Sequence, residues 1–165
     1  MSNTNAFIID RTLNAPRNLV WQVWTSAEHL AKWFSPTGFT TTIHQLNLNP
    51  NGILHYSMTS PEGFTMWGKW IFREIQEPTK LVLIQHFSDE QGGLSRHPGS
   101  ATWPAYTLST MTLTEENGKT RLQLEWQPHD ASPEEIATFM GAFDSMNQGW
   151  GGTFANLEHY LALMV

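Results

Sequence analysis

Seven histidines, at positions 29, 44, 55, 86, 97, 129 and 159, accompany fifteen carboxylates in a chain of 165 residues. Imidazoles and carboxylates hold metal ions and move protons, so their spacing is the first chemistry to read. No HxH or HExxH pairing occurs, which leaves a metal centre without a local signature. His44, His55 and His86 could still converge from neighbouring strands. His55, however, alternates with Leu54, Tyr56 and Met58, a pattern that directs it to solvent. No metal is expected. Cysteine is absent, which removes thiolate ligands, disulfides and a Cys nucleophile and suits a reducing cytoplasm. No serine stands in a GxSxG turn. Gly118-Lys119-Thr120 imitates the end of a phosphate-binding loop, but Leu113 occupies the position of its first glycine. Asp10, Glu74, Glu125 and Asp144 could each turn inward as acid or base, although carboxylates on half-buried strands more commonly face water. Catalytic residues, and whether there is catalysis at all, stay open.

The other chemistry is apolar. The chain carries 8 Trp, 9 Phe and 7 Met, while only 15% of its residues are charged, against roughly 25% in an average protein. Nine basic against fifteen acidic residues give a net charge of −6. That balance argues against nucleic acid and anionic membrane surfaces, which are bound through clustered Lys and Arg. No stretch approaches the ~18 apolar residues of a membrane span, and the N-terminus lacks a signal-peptide core. A cytoplasmic, single-domain protein spanning 1–165 is expected. So many large flat or flexible side chains in a small domain imply either a crowded core or a cavity.

Those residues must be positioned by recognisable elements. Phe7, Ile9 and Leu13 alternate along a first strand, Ala6–Asn14. Pro16 then opens a helical stretch with Leu19, Val20, Val23 and Trp24 on one face, and Ser26 caps a second short helix burying Leu30, Trp33 and Phe34. From about residue 39 to 127, six β-rich segments are separated mostly by short turns such as Asn49–Gly52, Ser60–Gly63, Glu77–Lys80 and Glu116–Lys119. Short turns make successive strands antiparallel neighbours. One connection, Asp89–Pro104, is too long for a hairpin and reads as a flap over one end of the sheet or as a disordered insertion. Ser132-Pro133-Glu134-Glu135 carries an N-cap, a first-turn proline and a capping-box Glu. Ile136, Met140, Phe143, Trp150, Phe154, Leu157, Leu161 and Met164 then recur at helical steps, so one long, kinkable helix runs to the end. Gly141, Gly149 and Gly152 fall on its opposite side.

This order of elements, with Arg11, Ala15-Pro16, Val20-Trp21, Trp24-Thr25, Leu30, Trp33, Pro78, Leu81-Val82, Thr120-Arg121-Leu122 and Gly149-Trp150, resembles the START-like (SRPBCC) helix-grip superfamily. Within it, the chain resembles nearly end to end the homologues of the activator of the heat shock protein 90 ATPase. The resemblance implies an α+β helix-grip fold: a curved antiparallel sheet of about seven strands, ordered β-α-α-β6-α, wrapped around a long C-terminal helix with an internal cavity. The chain departs from the family around Pro50, where Asn47, Asn49, Asn51 and Gly52 replace the usual acidic residue, Arg and Gly pair. The turn survives because Asn tolerates left-handed backbone.

A bent sheet and a straight helix cannot touch along their whole length. The expected function is binding of a small hydrophobic or aromatic molecule in the gap. Trp33, Tyr56, Met58, Trp70, Phe87, Met111, Met140, Phe143, Asn147 and Trp150 are the expected lining. Asn147 falls on the apolar stripe and needs a partner, either a ligand or water in the cavity or Gln85 or Tyr56 on the sheet. The resemblance leaves two alternatives, a polyketide-cyclase-like enzyme and a chaperone-interacting module. No cofactor is expected. A homodimer is compatible with the charge and the outward glycines, but neither argues for one.

Overall fold

In the computed structural model, which describes residues 5–36 and 38–164, seven strands pair in the order β1-β7-β6-β5-β4-β3-β2, every pair antiparallel. They are β1 (Phe7–Leu13), β2 (Thr40–Leu46), β3 (Ile53–Thr59), β4 (Thr65–Gln76), β5 (Lys80–Phe87), β6 (Tyr106–Glu116) and β7 (Lys119–His129). The turns act as their residues dictate. Asn117 and Gly118 both take positive φ, 55° and 79°, as a type I′ hairpin requires. Asn51 also adopts left-handed backbone (φ 66°), and a Cβ on Gly52 would lie 2.1 Å from the Asn47 carbonyl oxygen. The Asn51 N–H donates to the Phe72 carbonyl at 2.7 Å, which locks this turn to the middle of β4.

Between β1 and β2 lie α1 (Arg17–Thr25) and α2 (Ala27–Trp33), which bury Val20, Trp21, Val23, Trp24, Leu30 and Trp33. Pro16 is the residue just before the helix, and Ser26 stands at the N-cap of α2 without a side-chain capping bond. The capping box at Ser132 forms in full. The Glu135 N–H donates to Ser132 Oγ at 3.1 Å, and the Ser132 N–H donates to Glu135 Oε1 at 3.0 Å.

The C-terminal stripe is broken into α3 (Pro133–Gly141) and α4 (Phe143–Ala162). At the junction the Ala142 N–H bonds back to Phe139, a tighter turn than the α-helix makes, directly after a glycine that holds the helix weakly. The apolar stripe keeps its helical steps across this junction, through Phe139, Met146, Trp150, Phe154, Leu157 and Leu161, while Met140 and Met164 are exposed. Polar bonds fix α4 at mid-length. Thr153 Oγ1 and Asn156 Nδ2 both donate to the Ser35 carbonyl, at 3.3 and 3.0 Å.

The sheet bends where its ladder slips, between Ile43 and Gln45 in β2 and between Phe72 and Glu74 in β4. Its concave side faces the helices. Its convex side is not simply solvated, and here the expectation for His55 is corrected. His55 does point away from the helices, but it is buried because the segment after β5 folds over it. The His55 and His44 rings stack on Trp67, and His55 Nε2 lies 3.2 Å from the Asp89 carbonyl oxygen. Among the described residues no helix is long and apolar enough to cross a membrane.

Candidate functional site

Between sheet and helices lies a cavity of about 610 Å³, within the size range of small-molecule sites and about four times a cavity that admits benzene. Its floor is the concave face of β3 to β7, supplied by Tyr56, Met58, Met66, Phe87, Thr107 and Trp126. Its roof is α3 and α4, which contribute Thr138, Ser145, Met146 and Trp150, with Phe34 at the end of α2 beside them. The segment between β5 and β6 closes one side with His97, Ser100, Trp103 and Pro104. This is the Asp89–Pro104 connection, and it is well anchored. Ser88 bridges to Leu94. Arg96 Nη2 reaches Glu135 at 2.8 Å and the carbonyls of Ala101 and Trp103 at 3.1 and 3.2 Å. The Trp103 ring packs on Trp126 and Phe139.

Small residues make the room. Gly68 pairs with Tyr56 across the β3–β4 ladder, and a Cβ there would lie 2.4 Å from Tyr56 Cζ and Oη. The phenol ring therefore lies over a residue with no side chain, an arrangement that compensates glycine in a sheet. Opposite, Ala142, Ser145, Gly149 and Thr153 present short or absent side chains to the same space. Gly149, placed outward by its helical phase, borders the cavity.

Polar chemistry on the wall is sparse and uncharged. Among the described residues no Asp, Glu, Lys or Arg lines the cavity. Gln85 Nε2 donates to Tyr56 Oη at 3.3 Å. Burial pushes the Tyr56 hydroxyl up to about 12, against the opposing pull of that hydrogen bond, so it stays protonated at neutral pH. The His97 ring packs against Phe87 and Trp103, and burial holds its pKa below the ordinary imidazole value. Its Nδ1 accepts the Gly99 N–H at 2.8 Å, which puts the proton of the neutral ring on Nε2.

Of the ten residues expected to line the cavity, Tyr56, Met58, Phe87 and Trp150 stand on its wall. Six do not. Trp33 is buried under α1, its indole donating to the Val23 carbonyl at 2.9 Å. Trp70 is walled in by Phe34, Tyr56 and Phe72. Met111 belongs to the packed core. Met140 and Asn147 are exposed because both fall at the edge of the stripe that runs through Phe139, Met146, Trp150 and Phe154, and Phe143 turns toward Phe7 on β1. Asn147 borders a separate hollow of about 220 Å³ beside Asp10 and Arg11. The partners suggested for it on the sheet, Gln85 and Tyr56, bond to each other.

The carboxylates named as acid or base candidates lie off the cavity wall. Asp10 is held by Arg121 at 3.0 and 2.6 Å, and Glu74 by Lys80 at 3.2 Å. Among the described residues no three His, Asp or Glu side chains converge as a metal site. The wall also holds large side chains that the sequence reading did not place there, among them Met66, Trp126, His97 and Trp103. Met66 and Trp126 continue the inward alternation of their strands, a usable signal. His97 and Trp103 sit in an irregular segment, where no periodicity marks them.

A family model described as Activator of Hsp90 ATPase homolog 1-like protein matches residues 14–162. The fold is similar to that of protein Ms6760 from Mycobacterium smegmatis, with 24% identity, coverage of 96% of this chain and 91% of that one, and a TM-score of 0.77. A solution structure from Arthrobacter aurescens gives 24% identity, 95% and 86% coverage and a TM-score of 0.80. The AHSA1 protein from Silicibacter pomeroyi gives 15% identity, 97% and 99% coverage and a TM-score of 0.70. Identities this low establish the helix-grip fold and nothing finer. No curated protein matches the sequence.

Proposed function

We propose that this chain, which belongs to the family of Activator of Hsp90 ATPase homolog 1-like proteins, binds a small, mainly apolar molecule in the cavity between its sheet and its C-terminal helices. The observation that carries this reading is the wall itself. Some 610 Å³ is bounded by Phe34, Tyr56, Phe87, Trp103, Trp126 and Trp150 with three methionines, and no ionic side chain intervenes. Water inside meets mostly carbon. An apolar guest releases that water and gains roughly 25 cal/mol for each Å² of apolar surface buried. Methionine adapts its shape to the guest. Convergent polar groups are few, as in sites that orient a ligand through one or two bonds.

Three tryptophans, Trp103, Trp126 and Trp150, border the cavity and report occupancy directly. Titration with a panel of neutral apolar ligands should give a saturable change in indole emission for at least one of them. No change for any ligand, together with a solved structure in which side chains fill the space, would overturn the proposal. A cyclase-like reaction in the same place would fall to Tyr56 and His97, because Asp10 and Glu74 are engaged elsewhere.

A further inference from the structure

From the chemistry of the wall we infer the class of ligand: an electrically neutral molecule with an apolar, ring-sized body and at least one hydrogen-bond acceptor, with carboxylate amphiphiles excluded. The inference rests on the proposed binding in this cavity and goes further, because it says which small molecules the cavity rejects.

Rejection follows from charge. A carboxylate leaving water for this wall would find no Lys or Arg on it. The basic groups nearest in the chain are already committed. Arg96 is paired with Glu135 on the outer side of the β5–β6 segment, and Lys69 donates to the Gly92 carbonyl at 3.1 Å on the convex face. An unpaired buried ion costs far more than hydrogen bonds to hydroxyls return. A cationic amine fares no better, since the wall offers it no Asp or Glu.

Selection follows from donors. The Tyr56 hydroxyl uses its oxygen to accept from Gln85, which leaves its own proton free to donate. His97 uses Nδ1 to accept from Gly99, which leaves Nε2–H as its donor. Tyr56 lies on the floor of the cavity and His97 on its closing segment, and each has one proton to offer. Without a ligand neither carries charge at the pH 8 of the test below, because burial raises the phenol's pKa and lowers that of the imidazole. A ketone, ester, amide or ether oxygen meets these requirements. A pure hydrocarbon leaves both donors unanswered.

Three probes of nearly the same shape separate the terms: 2-acetylnaphthalene, 2-ethylnaphthalene and 2-naphthoate, titrated calorimetrically at pH 8, where the carboxyl group is fully ionised. The ketone should bind about three- to tenfold tighter than the hydrocarbon, the range of one net hydrogen bond. The naphthoate should bind at least about a hundredfold more weakly than the ketone. Tyr56→Phe should remove most of the ketone's advantage over 2-ethylnaphthalene. Naphthoate binding within threefold of the ketone would overturn the exclusion of anions while leaving cavity binding intact. Equal affinities for ketone and hydrocarbon in the parent protein would overturn the requirement for an acceptor. Binding of none of the three would instead remove the proposed function itself.

Discussion

Replacing Gly68 with alanine adds one methyl group where the Tyr56 ring now lies, so the size of the collision can be worked out. The new carbon would stand 2.4 Å from Tyr56 Cζ and Oη and 2.9 Å from Cε2, whereas carbon atoms rest at about 3.5–4.0 Å. The end of the ring must therefore move by about 1 Å. The strand below is fixed by its ladder on both sides, so the ring can only rise into the cavity. That displacement breaks the Gln85–Tyr56 hydrogen bond, now 3.3 Å long. Forcing a methyl group into a packed site costs about 1–3 kcal/mol, and the lost hydrogen bond about 0.5–1.5 kcal/mol. Alanine returns about 0.4–1 kcal/mol by restricting the unfolded chain. The net loss is about 2 kcal/mol, a fall in Tm of about 4–8 °C for a chain of this size. Scanning calorimetry of Gly68→Ala measures the loss, and titration with 2-acetylnaphthalene should show weaker binding because the ring now takes up ligand space. Tyr56→Leu removes the colliding atoms, so adding Gly68→Ala in that background should cost much less, a coupling that a double-mutant cycle reads out. A Gly68→Ala protein with parental Tm and parental affinity would refute the packing described for this floor.

Three further outcomes follow from other contacts. Ser132→Ala removes the side-chain half of the capping box and should cost about 1 kcal/mol, read as a lower midpoint in urea unfolding; an unchanged midpoint would mean that α3 does not depend on its cap. Arg96→Ala removes the tie to Glu135 and two carbonyls, yet should lower global stability by less than about 1 kcal/mol because the Arg96 side chain is 46% exposed. The same variant should speed amide exchange severalfold across residues 95–104, and unaltered protection there would count against Arg96 as the anchor of this segment. His86 is held below the ordinary imidazole pKa by burial, with the nearby Lys69 and His55 adding to the effect and its bond to the Phe87 carbonyl opposing it. The unfolded chain thus takes up its proton first as pH falls. Stability should decline from pH 7.5 to 5.5, and His86→Gln should flatten that slope. A urea midpoint that holds or rises on acidification would contradict this.

Architecture was the most legible part of the sequence, because it is written in periodicities and turns. Phe7, Ile9 and Leu13 announce a half-buried strand, and Asn117-Gly118 announces a hairpin. Ser132-Pro133 with Glu135 announces a helix start, and each element stands where its residues place it. The cavity wall was only half legible. Tyr56, Met58 and Phe87 follow from strand alternation. Met140 and Asn147 were misplaced because both lie at the edge of the apolar stripe, which centres on Phe139, Met146, Trp150 and Leu157, and helical phase alone does not decide exposure at an edge. Trp70 and Met111 do point to the concave side, but alternation says only which face a residue is on, not whether that part of the face is packed or hollow. His97 and Trp103 were invisible for a different reason. Their places depend on Arg96, Glu135 and Trp126, partners up to 39 residues away whose contacts no local pattern encodes.

The seven methionines offer the most direct test of binding in the cavity. Met58, Met66 and Met146 border it, Met111 is packed in the core, and Met140 and Met164 are exposed on the outside. With methyl groups labelled by ¹³C, titration of 2-acetylnaphthalene should shift the Met58, Met66 and Met146 resonances along one saturable curve. The Met140 and Met164 resonances should stay in place. Shifts confined to Met140 and Met164, or no saturable shift at any methyl group, would contradict a ligand site between the sheet and the C-terminal helices.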